Sequence, residues 1–335
     1  METRARWVRA RGLDAETQLE RTMWQYVGYV AILLCAVLMG TQLVPAMVLA
    51  MLPGQNLKRK YGAHWALVTG ASSGIGLALA RKLAQQELNV VLVALDDEML
   101  HAACSALKQQ YPKQQFRAVG ANLSAANAAE YMDKIKQATA DIAVSIVMSN
   151  AGYLLMGFFE QRPVEQHIAN AMCNALCPVH LAHYFVRHMK DRKIKGCIAF
   201  TSSAAYFLPT PFASMYGAGK AFLSEFAMSL AVETRDHAID VFAIHPSYTR
   251  TNLYANTEKL GVLAFLDKFA ATPEDVADAL IHSVGRVICL DYGWYAKLTR
   301  LVPKIFDISL LAQIIIPFRT MIPEYKQFAT ASGSS

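Results

Sequence analysis

From Thr22 to Leu57 the sequence does not contain a single charged residue. That absence excludes an exposed loop or an ordinary surface helix for this stretch, since either would carry charge on its wet side. Charge is sparse throughout, at 17% of residues against 54% hydrophobic, in a chain of 335 residues. Such a balance excludes a disordered chain. The net charge of +6 is mild. Its basic groups are Arg4, Arg6, Arg9 and Arg11, then Lys58 to Lys60, then Lys297, Arg300, Lys304 and Arg319. All of them flank apolar stretches, which fits a membrane surface better than nucleic acid. No nucleic-acid partner is expected. The six cysteines (35, 104, 173, 177, 197, 289) show neither metal spacing nor a paired framework. They read as small buried hydrophobes in a reducing compartment, and no metal site is expected. Internal repeats and low-complexity tracts are also lacking.

What is present begins with the uncharged segment. Tyr26 to Gly40 is nearly pure aliphatic, and Leu43 to Leu52 continues it past Pro45. A helix of about 20 such residues spans a bilayer of roughly 30 Å. Residues 1–22 form a basic tail that also holds Asp14, Glu16 and Glu20, and no short apolar core ends in a small-residue cleavage site. The reading is an uncleaved membrane anchor, a transmembrane helix over 23–52. Basic residues lie on both sides of it, so charge does not set its orientation. A hairpin at Pro45 would place both ends in the cytosol. A second apolar stretch, 301–317, is interrupted by Pro303 and Asp307 and preceded by Trp294, Tyr295 and Lys297. Membrane-facing contact is expected there, with a core helix or a substrate entrance as alternatives.

After the linker Pro53–Asn56, strand and helix patterns alternate. Strands are expected at 65–69, 89–94, 115–121, 142–149, 196–202, 240–245 and 286–290. Helices are expected at 75–86, 97–110, 124–139, 164–191, 214–238 and 273–285. Thr272-Pro-Glu-Asp275 is a strong helix start, with a Thr cap and acidic residues in the first turn. This alternation predicts an α/β fold with a doubly wound parallel sheet, and ligand sites at the carboxyl ends of the strands. One domain would cover 58–292, followed by an apolar extension and tail over 293–335.

The residues that carry chemistry fall at those strand ends. Tyr216 and Lys220 are four apart at the start of a helix pattern, hence on one face. An ammonium beside a phenol favours the phenolate, which suits proton transfer near neutral pH. Upstream, Gly70, Gly74 and Gly76 follow the strand ending at Thr69 and open a helix. A glycine-rich turn of this kind lets backbone N–H groups approach a phosphate. Ser149-Asn-Ala-Gly152 and Ser203 end two further strands, and Asn174 lies within a helix pattern.

Taken together, Thr69-Gly-x-x-x-Gly-Ile-Gly76, Asn150-Ala-Gly152, a serine and Tyr216-x-x-x-Lys220 resemble the short-chain dehydrogenase/reductase family, over about Tyr61 to Tyr292. The resemblance implies a Rossmann-type fold and hydride transfer with a nicotinamide cofactor. It assigns Tyr216 as the general acid and Lys220 as its partner, which also bonds the nicotinamide ribose. Ser203, favoured over Ser202 by position, would donate to the substrate carbonyl. Asn174 would hold a water linked to Lys220. Cofactor contacts are implied for Gly70, Ser72, Ser73, Gly74, Ile75, Gly76, Asn122 and Asn150, with Tyr216 and Lys220. The loop Pro246-Ser-Tyr-Thr-Arg-Thr251 resembles the family's Pro-Gly-x-x-x-Thr, which adds Thr249 and Thr251. Ser247 stands where the family has Gly, a change expected to tilt the loop. Ala94 falls where NAD-selective members carry an acid, and Leu95 where NADP-preferring members often carry Arg. Asp96 and Asp97 read as the solvated start of the next helix. The missing acid favours NADP(H), with NAD(H) left open. The histidines at 101, 167, 180, 183, 188 and 245 are scattered and read as surface or packing residues without partners.

Tyr248 to Phe269 should cover the site with apolar side chains, among them Leu253, Tyr254, Leu260, Val262, Leu263, Phe265 and Leu266. An apolar cover on an anchored enzyme points to a lipophilic ketone or secondary alcohol. The layout also looks like the membrane-anchored hydroxysteroid dehydrogenase and very-long-chain 3-oxoacyl-CoA reductase branch. That likeness implies steroid, 3-oxoacyl-CoA or ketosphinganine-type substrates and the endoplasmic reticulum membrane, with the catalytic domain in the cytosol. A homodimer is compatible with it. The competing class is a catalytically idle fold serving as a membrane or lipid-droplet scaffold.

Overall fold

The structure, a computed structural model, describes residues 2–254 and 267–332. The chain divides into two units, Met1–Gly54 and Gln55–Ser335. The first is one helix, α1 (Glu2–Met51), which runs unbroken through Pro45. No hairpin forms there. Its part from Gln18 to Met51 is long and apolar enough to cross a membrane, and most of its large apolar side chains, from Leu19 to Met51, are exposed.

The second unit starts with Gln55, whose amide lies against the carbonyls of His282 and Val284 at 3.0 and 2.9 Å. The short helix α2 (Leu57–Tyr61) follows, held by Tyr61, which donates to Asp240 at 2.7 Å. Seven strands then form one sheet: β1 (Trp65–Thr69), β2 (Asn89–Ala94), β3 (Phe116–Gly120), β4 (Val144–Ser149), β5 (Gly196–Thr201), β6 (Ile239–Pro246) and β7 (Cys289–Tyr292). Every pairing is parallel, in the order β3-β2-β1-β4-β5-β6-β7. Strands β1, β4 and β5 are buried along their whole length. Parallel strands covered by helices on both faces read as continuous apolar runs for that reason. One face packs on α3 (Gly74–Gln85) and α4 (Glu98–Gln110), the other on α5 (Ala129–Thr139).

The segment 164–191 is not one uniform helix. It comprises α6 (Val164–Ala171), one wide turn over Met172–Leu176, and α7 (Cys177–Asp191). In the wide turn the Cys177 amide reaches back five residues to the Met172 carbonyl. Such turns widen a helix locally and re-aim one side chain, here Asn174. Next come α8 (Ser214–Glu233) and α9 (Pro273–Ser283). The Thr272 cap of α9 is closed in both directions with Asp275. The end of the chain forms α10 (Trp294–Ile305) and α11 (Ile308–Ile315), bent at Phe306 and Asp307, and then α12 (Pro323–Ser332). Of the expected apolar cover, residues 255–266 lie outside the described residues. Strand order reverses direction between β1 and β4, and the crevice at that reversal is where a doubly wound sheet binds its ligand.

Candidate active site

A cavity opens at that crevice. Gly70 stands at the end of β1 with φ of +64°, a conformation that a β-carbon disfavours. A β-carbon there would also lie 3.0 Å from the Ala151 backbone. The Thr69 hydroxyl accepts from the amides of Asn150 and Ala151, each at 2.9 Å, and the Asn150 side chain donates to the Thr69 carbonyl at 3.2 Å. These bonds lock the ends of β1 and β4 together. Ser72, Ser73, Gly74 and Ile75 line the cavity. The Ser73 side chain does not cap α3, so the first amides of that helix are available to an anion. Gly76 does not line the cavity. It is buried against the Gly70 carbonyl, with no room for a β-carbon, so it lets the helix start close to the turn.

Farther along, Ala94 and Leu95 line the wall. Asp97 lines it too, but its carboxylate is engaged with the Leu100 amide at 3.0 Å, capping α4. The Asp96 carboxylate bonds His101 at 2.9 Å. Asn122 is exposed on the same wall, with its side-chain oxygen accepting from the Ser124 amide at 3.0 Å. Thr249 and Thr251 close the opposite side. The Thr251 methyl sits against Gly74.

Ser203 and Tyr216 line this cavity and also a smaller neighbouring one. Ser203 Oγ accepts from the Ala205 amide at 3.1 Å. Ser202 points the other way, into the core, 2.9 Å from the Lys220 carbonyl and 2.7 Å from Ser224 Oγ. The two serines are therefore separated by position. Lys220 is buried, donates to the Thr201 carbonyl at 2.9 Å and lies 5.5 Å from the Tyr216 ring centroid. Burial lowers the Lys220 ammonium to about 8. Burial also raises the Tyr216 phenol, and the Ser203 hydroxyl pulls it part of the way back. The phenol lowered by its neighbouring ammonium, as expected from the spacing, is not what the geometry gives: burial dominates, and the group that opposes it is Ser203. Asn174 is fully buried. Its amide nitrogen donates to the carbonyls of Tyr153 and Asn170 at 3.0 and 3.1 Å, while its side-chain oxygen has no partner. A β-carbon on Gly152 would lie 2.5 Å from that oxygen and 3.2 Å from Lys220 Nζ. The glycine keeps this junction open.

Sequence reasoning missed a buried polar chain behind Lys220. Asp291 Oδ1 lies 2.8 Å from His245 Nδ1, and His245 Nε2 lies 3.0 Å from Ser224 Oγ. Ser224 Oγ is in turn 2.8 Å from the Lys220 carbonyl. His245 is thus not a partnerless packing residue. Neither are His101, His167 (2.8 Å from the Phe159 carbonyl) or His188, which accepts from the Val144 amide. Burial, aided by Arg192, lowers His188 to about 4. The available signal was the position of His245 after the buried apolar run Val241–Ile244, where an imidazole needs partners. Ser247 also has a partner that the sequence did not show. Its hydroxyl accepts from the Ala296 amide at 3.0 Å, so it ties the loop to the first turn of α10.

A second cavity, of about 210 Å³, lies beyond Ser203 and Tyr216. Leu154, Met156, Leu208 and Pro209 make it apolar, and Tyr295 and Glu324 reach it from the C-terminal extension.

Comparison with known proteins agrees with this geometry. The family model for short chain dehydrogenases matches residues 64–260. A 7beta-hydroxysteroid dehydrogenase of Mediterraneibacter gnavus is 28% identical over 243 residues, covering 71% of this chain and 89% of that protein. A very-long-chain 3-oxoacyl-CoA reductase of Podospora anserina is 32% identical over 219 residues, covering 63% and 62%. Among solved structures, a short-chain dehydrogenase from Sphingobium yanoikuyae in complex with NADPH superposes with a TM-score of 0.57 at 26% identity, covering 64% of this chain and 82% of that one.

Proposed function

The chain belongs to the short-chain dehydrogenase family, and from that premise we propose that it is a membrane-anchored reductase of lipophilic ketones that uses NADPH. It is an NAD(P)-dependent oxidoreductase of the Rossmann type. The observation that carries the finer reading is that Ser203 and Tyr216 stand on the wall shared by the nucleotide crevice and an apolar cavity. The residues fit a dinucleotide: the turn at Gly70 is open, the α3 amides are available, and an ammonium waits in the crevice. When bound, the nicotinamide supplies the hydride. Tyr216 gives its proton to the carbonyl oxygen. Ser203 donates a hydrogen bond to the same oxygen and stabilises its developing charge. The Lys220 ammonium favours the tyrosinate left behind and binds the ribose. The unpartnered Asn174 oxygen accepts a water that returns a proton.

NADPH is favoured over NADH because neither Ala94 nor Leu95 opposes a 2′-phosphate, and the nearby acids Asp96 and Asp97 have other partners. Helix α1 supplies the anchor. Ile305, Phe306, Leu310, Ile314 and Phe318 expose further apolar surface beside Lys304 and Arg319, which suits contact with a lipid interface. All six cysteines are free, in keeping with the cytosolic face of the endoplasmic reticulum. The test is steady-state turnover of a ketone panel by detergent-solubilised protein with NADPH and with NADH. Turnover of steroid or long-chain ketones with a higher kcat/KM for NADPH is expected. No turnover with either cofactor would favour a scaffold. Carbonate extraction should leave the full chain in the membrane and release a chain starting at Lys58.

A further inference from the structure

Glu324 is a buried carboxylate that hydride transfer does not use. It sits in the first turn of α12, is only 8% exposed, and its Oε2 has no hydrogen-bond partner. Among the described residues no Lys, Arg or His lies within ion-pair distance of it. It lines the cavity that Ser203 and Tyr216 also line. The helix is seated rather than loose: Tyr325 and Phe328 pack on Phe158 and Phe212 at ring separations of 5.5 to 6.4 Å. That aromatic cluster fixes where the carboxylate points.

A carboxylate in this setting is costly unless something answers it. A helix N-terminus welcomes negative charge, yet no amide of α12 bonds the orphaned oxygen. At about 210 Å³ the cavity is far larger than the roughly 15 Å³ that one water needs. Its other walls are mostly apolar. Glu324 lines that cavity, so a partner for its carboxylate group is best supplied by whatever fills it. A cation with several N–H donors repays the desolvation better than a neutral group does.

We propose that Glu324 is a specificity-determining residue that binds a protonated amine on the substrate, away from the reacting carbonyl, so that the preferred substrates are lipophilic amino ketones. This rests on the ketone-reductase reading above. The carboxylate accepts N–H bonds from the ammonium while the apolar walls hold the chain, and Ser203 and Tyr216 face the carbonyl.

The test uses three long-chain ketones that differ at one carbon, bearing an amine, a hydroxyl or hydrogen. They are assayed with NADPH on the full-length protein and on Glu324→Gln. Wild type should favour the amine by about tenfold or more in kcat/KM, mostly through KM, the size expected of one charge-assisted contact. Glu324→Gln should lose that preference while its NADPH Kd and thermal unfolding stay as in wild type, which shows that it folds. Equal handling of amine and plain ketone by wild type, a preference for the hydroxyl, or an equal loss on all three in the variant would overturn the proposal. Calorimetric binding of a long-chain primary amine and its matched alcohol decides the matter even if no ketone turns over. Selective amine binding, lost in Glu324→Gln, supports the site while the reductase reading fails alone.

Discussion

On the nucleotide side of Tyr216 the cavity wall is made of turns. Residues 70–75 and 150–152 follow directly on β1 and β4, and much of what they offer is backbone. On the substrate side the wall is made of side chains from distant stretches: Leu154 and Met156, Leu208 and Pro209, Tyr295 and Glu324. The first wall can bind one kind of molecule, because amides at a helix start recognise phosphate whatever the side chains nearby. The second can be rebuilt by changing side chains or the end of the chain, without touching the sheet. On the proposed reading, chemistry and cofactor belong to one half of the site and substrate choice to the other.

The sharpest way to break this division is at the residue the two walls share. Tyr216→Phe removes a transferable proton and almost no volume. It should lower turnover by about 10²- to 10⁴-fold and leave the NADPH Kd unchanged. Turnover near wild type would remove Tyr216 from the reaction; a large loss of cofactor affinity would mean that the halves are not separable.

Lys220 serves both halves, and its burial makes a prediction about pH. Its ordinary value of 10.5 falls to about 8 in the folded protein. Between those values the unfolded chain holds the proton and the folded chain does not, so stability rises as pH goes from about 8 to 10.5. The penalty for burying the ammonium is fully present below 8 and is relieved above it. The gain is on the order of 3 kcal/mol, and urea unfolding of the ligand-free protein checks it. Cofactor affinity should move the opposite way, with the NADPH Kd rising as pH passes 8, because an ammonium facing an anion is lost. Lys220→Met should flatten both profiles, stabilise the ligand-free protein, and cost turnover and cofactor affinity together.

The same division explains what could be read from the sequence. Gly70, Gly74, Asn150, Ser203, Tyr216 and Lys220 each sit at the end of an element whose period is plain, so local pattern places them. The parallel sheet followed from alternating apolar runs. Asn174 was located, but the wide turn that aims it was not, because a single extra residue in a helix leaves no period to detect. Glu324 was invisible, since nothing local says that a helix 108 residues beyond Tyr216 returns to line its cavity, and for Tyr295 a substrate entrance was one of several readings of its stretch. The partners of Ser247 and His245 were missed for the same reason: Ala296 and Asp291 are about 50 residues away in sequence.

A smaller effect sharpens the nucleotide half. Leu95 is exposed on the crevice wall, so Leu95→Arg costs no packing and places a guanidinium where a 2′-phosphate would lie. The ratio of kcat/KM for NADPH over NADH should rise by about tenfold, with the amino or plain ketone handled as before. No change in the ratio would put the phosphate elsewhere on the wall.

The smallest effect tests the seam between the halves. Ser247 belongs to the loop that lines the nucleotide crevice, yet its hydroxyl satisfies the Ala296 amide, one of the unpaired donors at the start of α10. Ser247→Ala leaves that buried amide unanswered and should cost about 1 kcal/mol. For a chain of this size that lowers Tm by only about 2 °C. The informative reading is kinetic. Helix α10 carries Tyr295 to the substrate wall, so loosening its first turn should raise the ketone KM while the NADPH Kd stays put. If the Kd rises and the KM does not, Ser247 works for the nucleotide loop alone, and the C-terminal extension is not anchored through it.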